Sequence, residues 1–264
     1  MIGNEHTPDQ RTVGYFNSIA EDYHSLYNEE TPGGCAFTLR RQRVLELFDK
    51  PGGNVLDVGC GSGVMVEDLL AQNCTLWGID PSSKMIDQCR KNFGSRPNVH
   101  FFVGAAEKIE FPDNSFDTVI CMGVVERVKD NDVVLKEMTR VLKREGTLLI
   151  TLPNKFSPYF VWRDFVFYPI VSLIRTFYYS ASGKARRPVI PGHTLYSATS
   201  YADAVTQKGC LVTDIVYCGF NFLFPPLESF FPGMTVSAMK KLEALRHGMF
   251  RRLGGCFIVK ARKQ

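Results

Sequence analysis

The sequence predicts an α/β fold: a doubly wound, seven-stranded, mostly parallel sheet with helices on both faces. Three observations predict it. Short apolar runs alternate with stretches of helical period from residue 55 to 152, as repeated βα units require. A glycine-spaced turn, Gly59-Cys60-Gly61-Ser62-Gly63, joins the first apolar run to a helical pattern. Finally, Gly59, Asp80, Gly104 and Cys121-Met122 all fall at the carboxyl ends of expected strands, where open parallel sheets bind their ligands.

Val13 to Tyr27 reads as an amphipathic helix, with Tyr15, Phe16, Ile19, Tyr23 and Tyr27 at helical spacing. The stripe suits either core packing or a lid over a ligand. A Gly33-Gly34 break is expected to precede a second helix, Ala36 to Phe48, carrying Arg40, Arg41 and Arg43. Val55 to Val58 is the first strand, and the glycine turn leads into a helix from Val64 to Leu70. Glycines let backbone approach a ligand without Cβ interference, and the following helix start offers free N–H groups. The next strand, Thr75 to Ile79, ends in Asp80, placed to accept hydrogen bonds from both hydroxyls of a ribose.

Pro81-Ser82-Ser83 caps a helix running to Phe93. Val99–Val103, Thr118–Met122 and Thr147–Leu152 are the third to fifth strands, and a helix Asp132–Lys143, closed by Glu145-Gly146, separates the last two. After Pro153 the composition changes. Phe156 to Tyr179 is dense in aromatic residues and is followed by Lys184, Arg186 and Arg187. Its longest uncharged run is too short to span a bilayer, so it suits an interfacial segment, the wall of an apolar pocket or a buried insertion. A helix Ser200–Lys208, a sixth strand Leu211–Tyr217, a basic amphipathic helix Ser237–Leu253 and a seventh strand from Gly255 to Lys260 complete the chain.

The 264 residues suffice for one sizeable domain with an elaboration. We divide that domain into N-terminal helices that cap the site (1–50), a ligand-binding core (51–153), an aromatic and basic insertion (154–197) and C-terminal strands with a helix (198–264). A net charge of +4 without a concentrated basic stripe argues against a nucleic-acid partner. Eight scattered cysteines lack metal-like spacing and suit reduced thiols, and Met1–Asp9 is too polar for a signal peptide, so a cytoplasmic location is expected. Peripheral membrane contact through Phe156–Tyr179 is left open.

The glycine turn lacks the third glycine of the dinucleotide fingerprint, and no Gly-Lys-Ser/Thr follows it, which disfavours NAD and nucleoside triphosphates. Leu56-Asp57-Val58-Gly59-Cys60-Gly61-Ser62-Gly63 instead resembles motif I of the class I S-adenosylmethionine-dependent methyltransferases. Gly78-Ile79-Asp80-Pro81-Ser82-Ser83-Lys84-Met85, Phe111-Pro112-Asp113-Asn114-Ser115-Phe116-Asp117 and Arg140-Val141-Leu142-Lys143 continue the resemblance in order. It extends from about Leu45 to Pro153 and is similar to the ubiquinone- and menaquinone-biosynthesis members in the cofactor half. It implies a Rossmann-like sheet with an antiparallel final strand, and S-adenosyl-L-methionine as cofactor.

The resemblance further implies roles. Gly59, Cys60 and Gly61 would pass close to the cofactor, Asp57 would support that loop or meet the cofactor's amino group through water, and Asp80 with Pro81 would hold the ribose side. Met85 would cover the adenine, Tyr23 would lie over the cofactor, Arg40 would reach its carboxylate, and Met122 would meet its ammonium. Gly104-Ala105-Ala106-Glu107 departs from the family's Gly-Asp-Ala-Glu, so at Ala105 either backbone near Ala106 and Glu107 meets the adenine amino group or the adenine site is looser. Gly123 and Arg127 stand where the metal-assisted quinone O-methyltransferases have an acid and a histidine. Glu126 alone is a poor site for a hard cation, so no metal is expected.

The resulting expectation is methyl transfer to a small hydrophobic or aromatic acceptor, O-methylation favoured. His193 and then His24 are the candidates for a general base. Carbon methylation of a quinone- or terpenoid-like lipid, and a non-catalytic cofactor-binding scaffold, are the alternatives.

Overall fold

A computed structural model describes residues 9–27, 30–174, 194–221 and 223–264. Seven strands form a single sheet: β1 (Asn54–Val58), β2 (Thr75–Asp80), β3 (Val99–Val103), β4 (Phe116–Met122), β5 (Leu142–Pro153), β6 (Cys210–Cys218) and β7 (Cys256–Lys263). Their order across the sheet is β3-β2-β1-β4-β5-β7-β6. The pairs β1–β2, β1–β4, β2–β3 and β4–β5 are parallel, whereas β7 runs antiparallel to both β5 and β6. The strand order reverses at β1 and β4, and that switch point opens the crevice in which such sheets bind ligands.

Strand alternation divides the core. Leu56, Val58, Val119, Cys121, Leu148 and Ile150 face one side. There they meet α5 (Asn131–Val141) through Val134, Leu135 and Met138, and the helix Ala198–Gln207 through Tyr201 and Val205. Val55, Ile120, Leu149 and Ile258 face the other. They pack on α2 (Pro32–Leu47), α3 (Val66–Ala71) and α4 (Ser83–Phe93) through Val44, Leu69, Ile86 and Phe93. Both faces of the central strands are therefore apolar, as a parallel sheet covered on both sides demands. Complete burial of a side chain such as Leu56 contributes about 2 kcal/mol.

Several boundaries differ from the sequence reading. Gly33 and Gly34 lie inside α2 rather than before it, because Thr31 caps Gly34 N and Pro32 occupies the first turn. The first helix, α1 (Gln10–Tyr23), begins at an Asp9 cap and tightens into a 3-10 turn, His24–Tyr27. α5 ends at Val141, and Lys143 and Glu145-Gly146 belong to β5, whose Leu142 pairs with Phe116 ahead of a register shift. The expected helix 237–253 is instead Pro232–Leu242 followed by two 3-10 turns, Glu243–His247 and Met249–Leu253, broken by extended backbone at Gly248.

After β5, a short helix Pro158–Trp162 runs into a π-helical turn, Arg163–Phe167, and helix continues over 168–174. No helix among the described residues is long and apolar enough to cross a membrane.

Candidate active site

The site is built on the turn between β1 and α3. Gly59 N and Cys60 N both donate to Ile79 O, at 2.7 and 3.0 Å, which folds the turn against the end of β2. Gly59 has φ 72°, and a Cβ there would stand 2.1 Å from Val124 Cγ2. Gly61 has φ 54° and carries Tyr23 of α1 above it, with a would-be Cβ 3.0 Å from the ring. Both positions need glycine for conformation and for space.

Asp80 closes the turn from the other side. Its Oδ2 accepts from Gly61 N at 3.0 Å and its Oδ1 from Ser82 N at 2.8 Å. A carboxylate has about four acceptor sites, so capacity remains for two hydroxyl donors. Burial pushes the Asp80 carboxyl up to about 6, against the two amides that favour its charged form. Asp57 lies beneath the turn, 2 % exposed. Burial and the neighbouring Asp80 charge raise its carboxyl to about 7.

Helix α1 is fastened over this turn. Ser82 Oγ donates to Asn17 Oδ1 at 2.7 Å, Lys84 N donates to the same oxygen at 3.3 Å, and Ser82 Oγ caps Met85 N. His24 Nδ1 lies 3.3 Å from Ser62 Oγ. This side chain contact ties the end of α1 to the turn, and His24 does not line the cleft.

The cleft between α1 and the strand ends holds about 730 Å³ of empty space, part of it open to solvent. Of the residues singled out in the sequence, Tyr23, Gly59, Gly61, Asp80, Pro81, Met85, Ala106, Glu107 and Met122 line it. Cys60 and Asp57 are buried behind the lining and support it. Ala105 pairs with Lys108 in an isolated β-bridge and places Ala106 and Glu107 on the wall. Phe16, Gly123, Val124 and Arg127 also line the cleft. Phe16 was visible as part of the aromatic stripe. Gly123, with φ 76° after a strand end, carried the same signal as Gly59 but was read only as a missing acid.

A second cavity, with about 1020 Å³ of empty space that includes its solvent-open mouth, adjoins the first. Arg127 lines both. Arg40 lies in the second, with its guanidinium nitrogens 3.6 Å from where a Cβ on Gly123 would stand. Phe37, Tyr159 and Phe160 supply aromatic wall, and Glu126 and Glu228 supply carboxyls. Glu228 accepts from Tyr159 OH at 2.9 Å, and Arg163 stacks over Phe160 at 4.4 Å. Glu126 is 8 % exposed, its Oε2 has no hydrogen-bond partner, and burial pushes its carboxyl up. His193 lies outside the described residues.

The residues fit the cofactor that the sequence implies: a cradle that any Cβ would fill, an acid at the end of β2, and an apolar cover from Met85 and Phe16. Residues 56–150 match the family described as a methyltransferase domain. Residues 56–150 thus form a methyltransferase domain, on the fold shared by S-adenosylmethionine-dependent methyltransferases. The chain is 25% identical over 156 residues to the ubiquinone biosynthesis O-methyltransferase of Coxiella burnetii, covering 59% of this chain and 67% of that one. It is 30% identical over 151 residues to the ubiquinone/menaquinone biosynthesis C-methyltransferase UbiE of Paraburkholderia phytofirmans, covering 56% and 62%. The chain thus spans about two thirds of the length of the curated relatives it matches. The fold is shared with a SAM-dependent methyltransferase, possible histamine N-methyltransferase, from Thermotoga maritima, at a TM-score of 0.62 and 18% identity over 95% of this chain and 99% of that one. The seven-stranded sheet with its antiparallel β7 agrees with that family's architecture.

Proposed function

We propose that this methyltransferase transfers a methyl group to an oxygen of a small, largely apolar acceptor, without a metal, within one domain whose segments divide as in the sequence reading. The observation that carries this reading is the contact between the two cavities: Arg127 borders both, and Arg40 in the second stands beside Gly123 in the first. In it, the first cavity takes the cofactor. Gly59 and Gly61 admit its methionine end, Asp80 accepts from its ribose hydroxyls, and Met85 with Ala106 and Glu107 borders its base. Arg40 and Met122 serve its charged end.

When bound, S-adenosylmethionine supplies a sulfonium methyl that needs no further activation. The chain must therefore align the acceptor and exclude water, and such positioning supplies about 7–11 kcal/mol. Tyr23 and Phe16 cover the cleft, and Phe37, Tyr159 and Phe160 offer flat apolar contact to an acceptor in the second. The absence of a metal is supported by residue type: Glu126 is flanked by Val125 and Arg127, and a lone carboxylate holds a hard cation poorly.

The relatives' names carry both O- and C-methyl transfer in ubiquinone and menaquinone biosynthesis. A C-methyl product on a quinone- or terpenoid-like lipid is the second reading, since an aromatic wall suits either. Peripheral membrane contact also belongs to this reading. Phe165 is 76 % exposed and Phe230 70 %, with Ile170, Leu173 and Phe231 exposed near them in sequence. Trp162 Nε1 donates to Pro225 O and Tyr159 to Glu228, so the two apolar segments are joined.

Calorimetric titration with S-adenosylmethionine, S-adenosylhomocysteine and NAD tests the cofactor half. Micromolar binding of the sulfur ligands and none of NAD is expected. Radiolabelled methyl transfer to lipophilic phenols and quinols, with the methylated atom read by mass spectrometry, separates O- from C-transfer. Flotation with phosphatidylglycerol vesicles tests the membrane contact, which is dropped if the protein stays in the pellet fraction.

A further inference from the structure

We propose that Glu126, rather than a histidine, takes the proton from the acceptor's nucleophilic hydroxyl, with Arg40 Nε beside it to hold the oxygen that loses it while the terminal guanidinium nitrogens, next to Gly123, remain for the cofactor's charged end. The inference rests on the reading of the second cavity as the acceptor site. Two orphaned polar atoms carry it. Glu126 Oε2 is a buried acceptor with no donor, and Arg40 Nε is a buried donor with no acceptor. Both side chains line the second cavity. An unmatched buried polar atom is destabilising, so a ligand that donates to one and accepts from the other is favoured.

Position agrees with the chemistry. Glu126 sits in a 3-10 turn, Val125–Arg127, directly after Met122, Gly123 and Val124, which line the cofactor cleft. The turn is pinned from both sides: Arg127 N donates to Val124 O at 2.8 Å, and Thr194 N to Glu126 O at 2.9 Å. The carboxyl is thus placed by backbone, beside the junction of the two cavities. Of the two predicted histidines, His24 faces Ser62, and His193 lies outside the described residues.

The step balances. The acceptor's O–H bond breaks and its proton goes to Glu126 Oε2. The oxygen pair forms the new O–C bond to the methyl carbon, and the C–S electron pair remains on sulfur as S-adenosylhomocysteine. Burial raises the Glu126 carboxyl while Arg40 and Arg127 oppose the rise. Facing it are Arg40 from α2, Cys121 from β4, Tyr196, Tyr201 from the helix 198–207, and Cys256 from β7. Of these groups and the adjacent Arg127, the two arginines carry fixed positive charge, and the Cys256 thiol is held below its ordinary value. A carboxylate raised toward the working pH is matched to proton transfer.

The test uses 4-nitrophenol, whose ionisation changes its absorbance, and its methyl-blocked counterpart 4-nitroanisole, each titrated into the protein saturated with S-adenosylhomocysteine. The wild type should bind the phenol at least tenfold more tightly than the anisole and raise the nitrophenolate band. That preference should fade as the pH falls and Glu126 protonates. Glu126→Gln should abolish the preference and its pH dependence while keeping cofactor affinity and thermal midpoint, and Glu126→Asp should restore part of it. If S-adenosylhomocysteine binds but the two probes behave alike, or neither binds, or Glu126→Gln keeps the preference, the inference is overturned and the cofactor reading stands. If S-adenosylhomocysteine itself fails to bind, the function proposed above falls first and takes this inference with it.

Discussion

Asp80 Oδ2 accepts a hydrogen bond from the Gly61 amide at 3.0 Å, so the acid at the end of β2 is fastened to the glycine turn it faces. The same carboxyl therefore shapes the cradle and offers lone pairs to the cleft. Asp80→Ala should weaken S-adenosylmethionine binding by about 10- to 100-fold, the loss of hydrogen bonds to a charged group. Because Asp80 titrates at about 6 without ligand, affinity should also fall as the pH drops below that value. Calorimetry between pH 5 and 8 checks both. Unchanged affinity in the variant would remove Asp80 from the ribose role.

Asp57 sets a pH dependence of the opposite kind. Its carboxyl rises from 3.8 to about 7 on folding, so the folded chain holds a proton that the unfolded chain has lost. Folding stability should then decline as the pH climbs through about 4 to 7, the window in which the unfolded state binds fewer protons. Asp57→Asn should flatten that decline and raise the thermal midpoint of the cofactor-free protein near pH 7.5. Scanning calorimetry across the window decides it, and an unchanged slope in the variant would sink the assignment.

Gly59→Ala meets two obstacles, φ 72° and the Val124 methyl 2.1 Å from the new Cβ. Left-handed backbone alone costs a non-glycine residue about 1–2 kcal/mol. The variant should fold with a lower midpoint and lose measurable cofactor binding. Adding Val124→Ala removes the clash but not the backbone strain, so recovery should be partial. Full recovery in the double variant would show that space alone dictates glycine there.

Arg43 and Glu243 form a buried ion pair, 8 % and 5 % exposed, with Nε to Oε2 at 3.3 Å. Glu243 also accepts from Gly219 N at 2.8 Å, so the pair joins α2 to the chain after β6. Arg43 additionally meets Glu46. Arg43→Met strands the Glu243 charge and should cost about 3–5 kcal/mol. Chemical denaturation measures this directly, and a loss under 1 kcal/mol would mean that the carboxyl finds water instead.

Much of the cleft proposed for the cofactor was legible in the chain because its parts are local. Gly59, Gly61 and Asp80 lie within one strand-turn-helix-strand stretch, and each marks a strand end by residue type. The helix over 168–174 and the shortened last helix were harder to place, because aromatic density and helical period do not reveal where backbone must break. Lys143 entered β5 for a similar reason: pairing of Leu142 with Phe116 outweighed its helical spacing.

By itself, the sequence determined the α/β architecture, the glycine cradle and the choice of cofactor family, since hydrophobic period and turn chemistry act over a few residues. Tertiary structure alone decided that Arg40 of α2 and Glu126 after β4 share a second cavity, 86 positions apart in the chain. It also left one buried atom of each without a partner. Such unmet hydrogen-bonding capacity exists only once packing has taken water away, which no local pattern records.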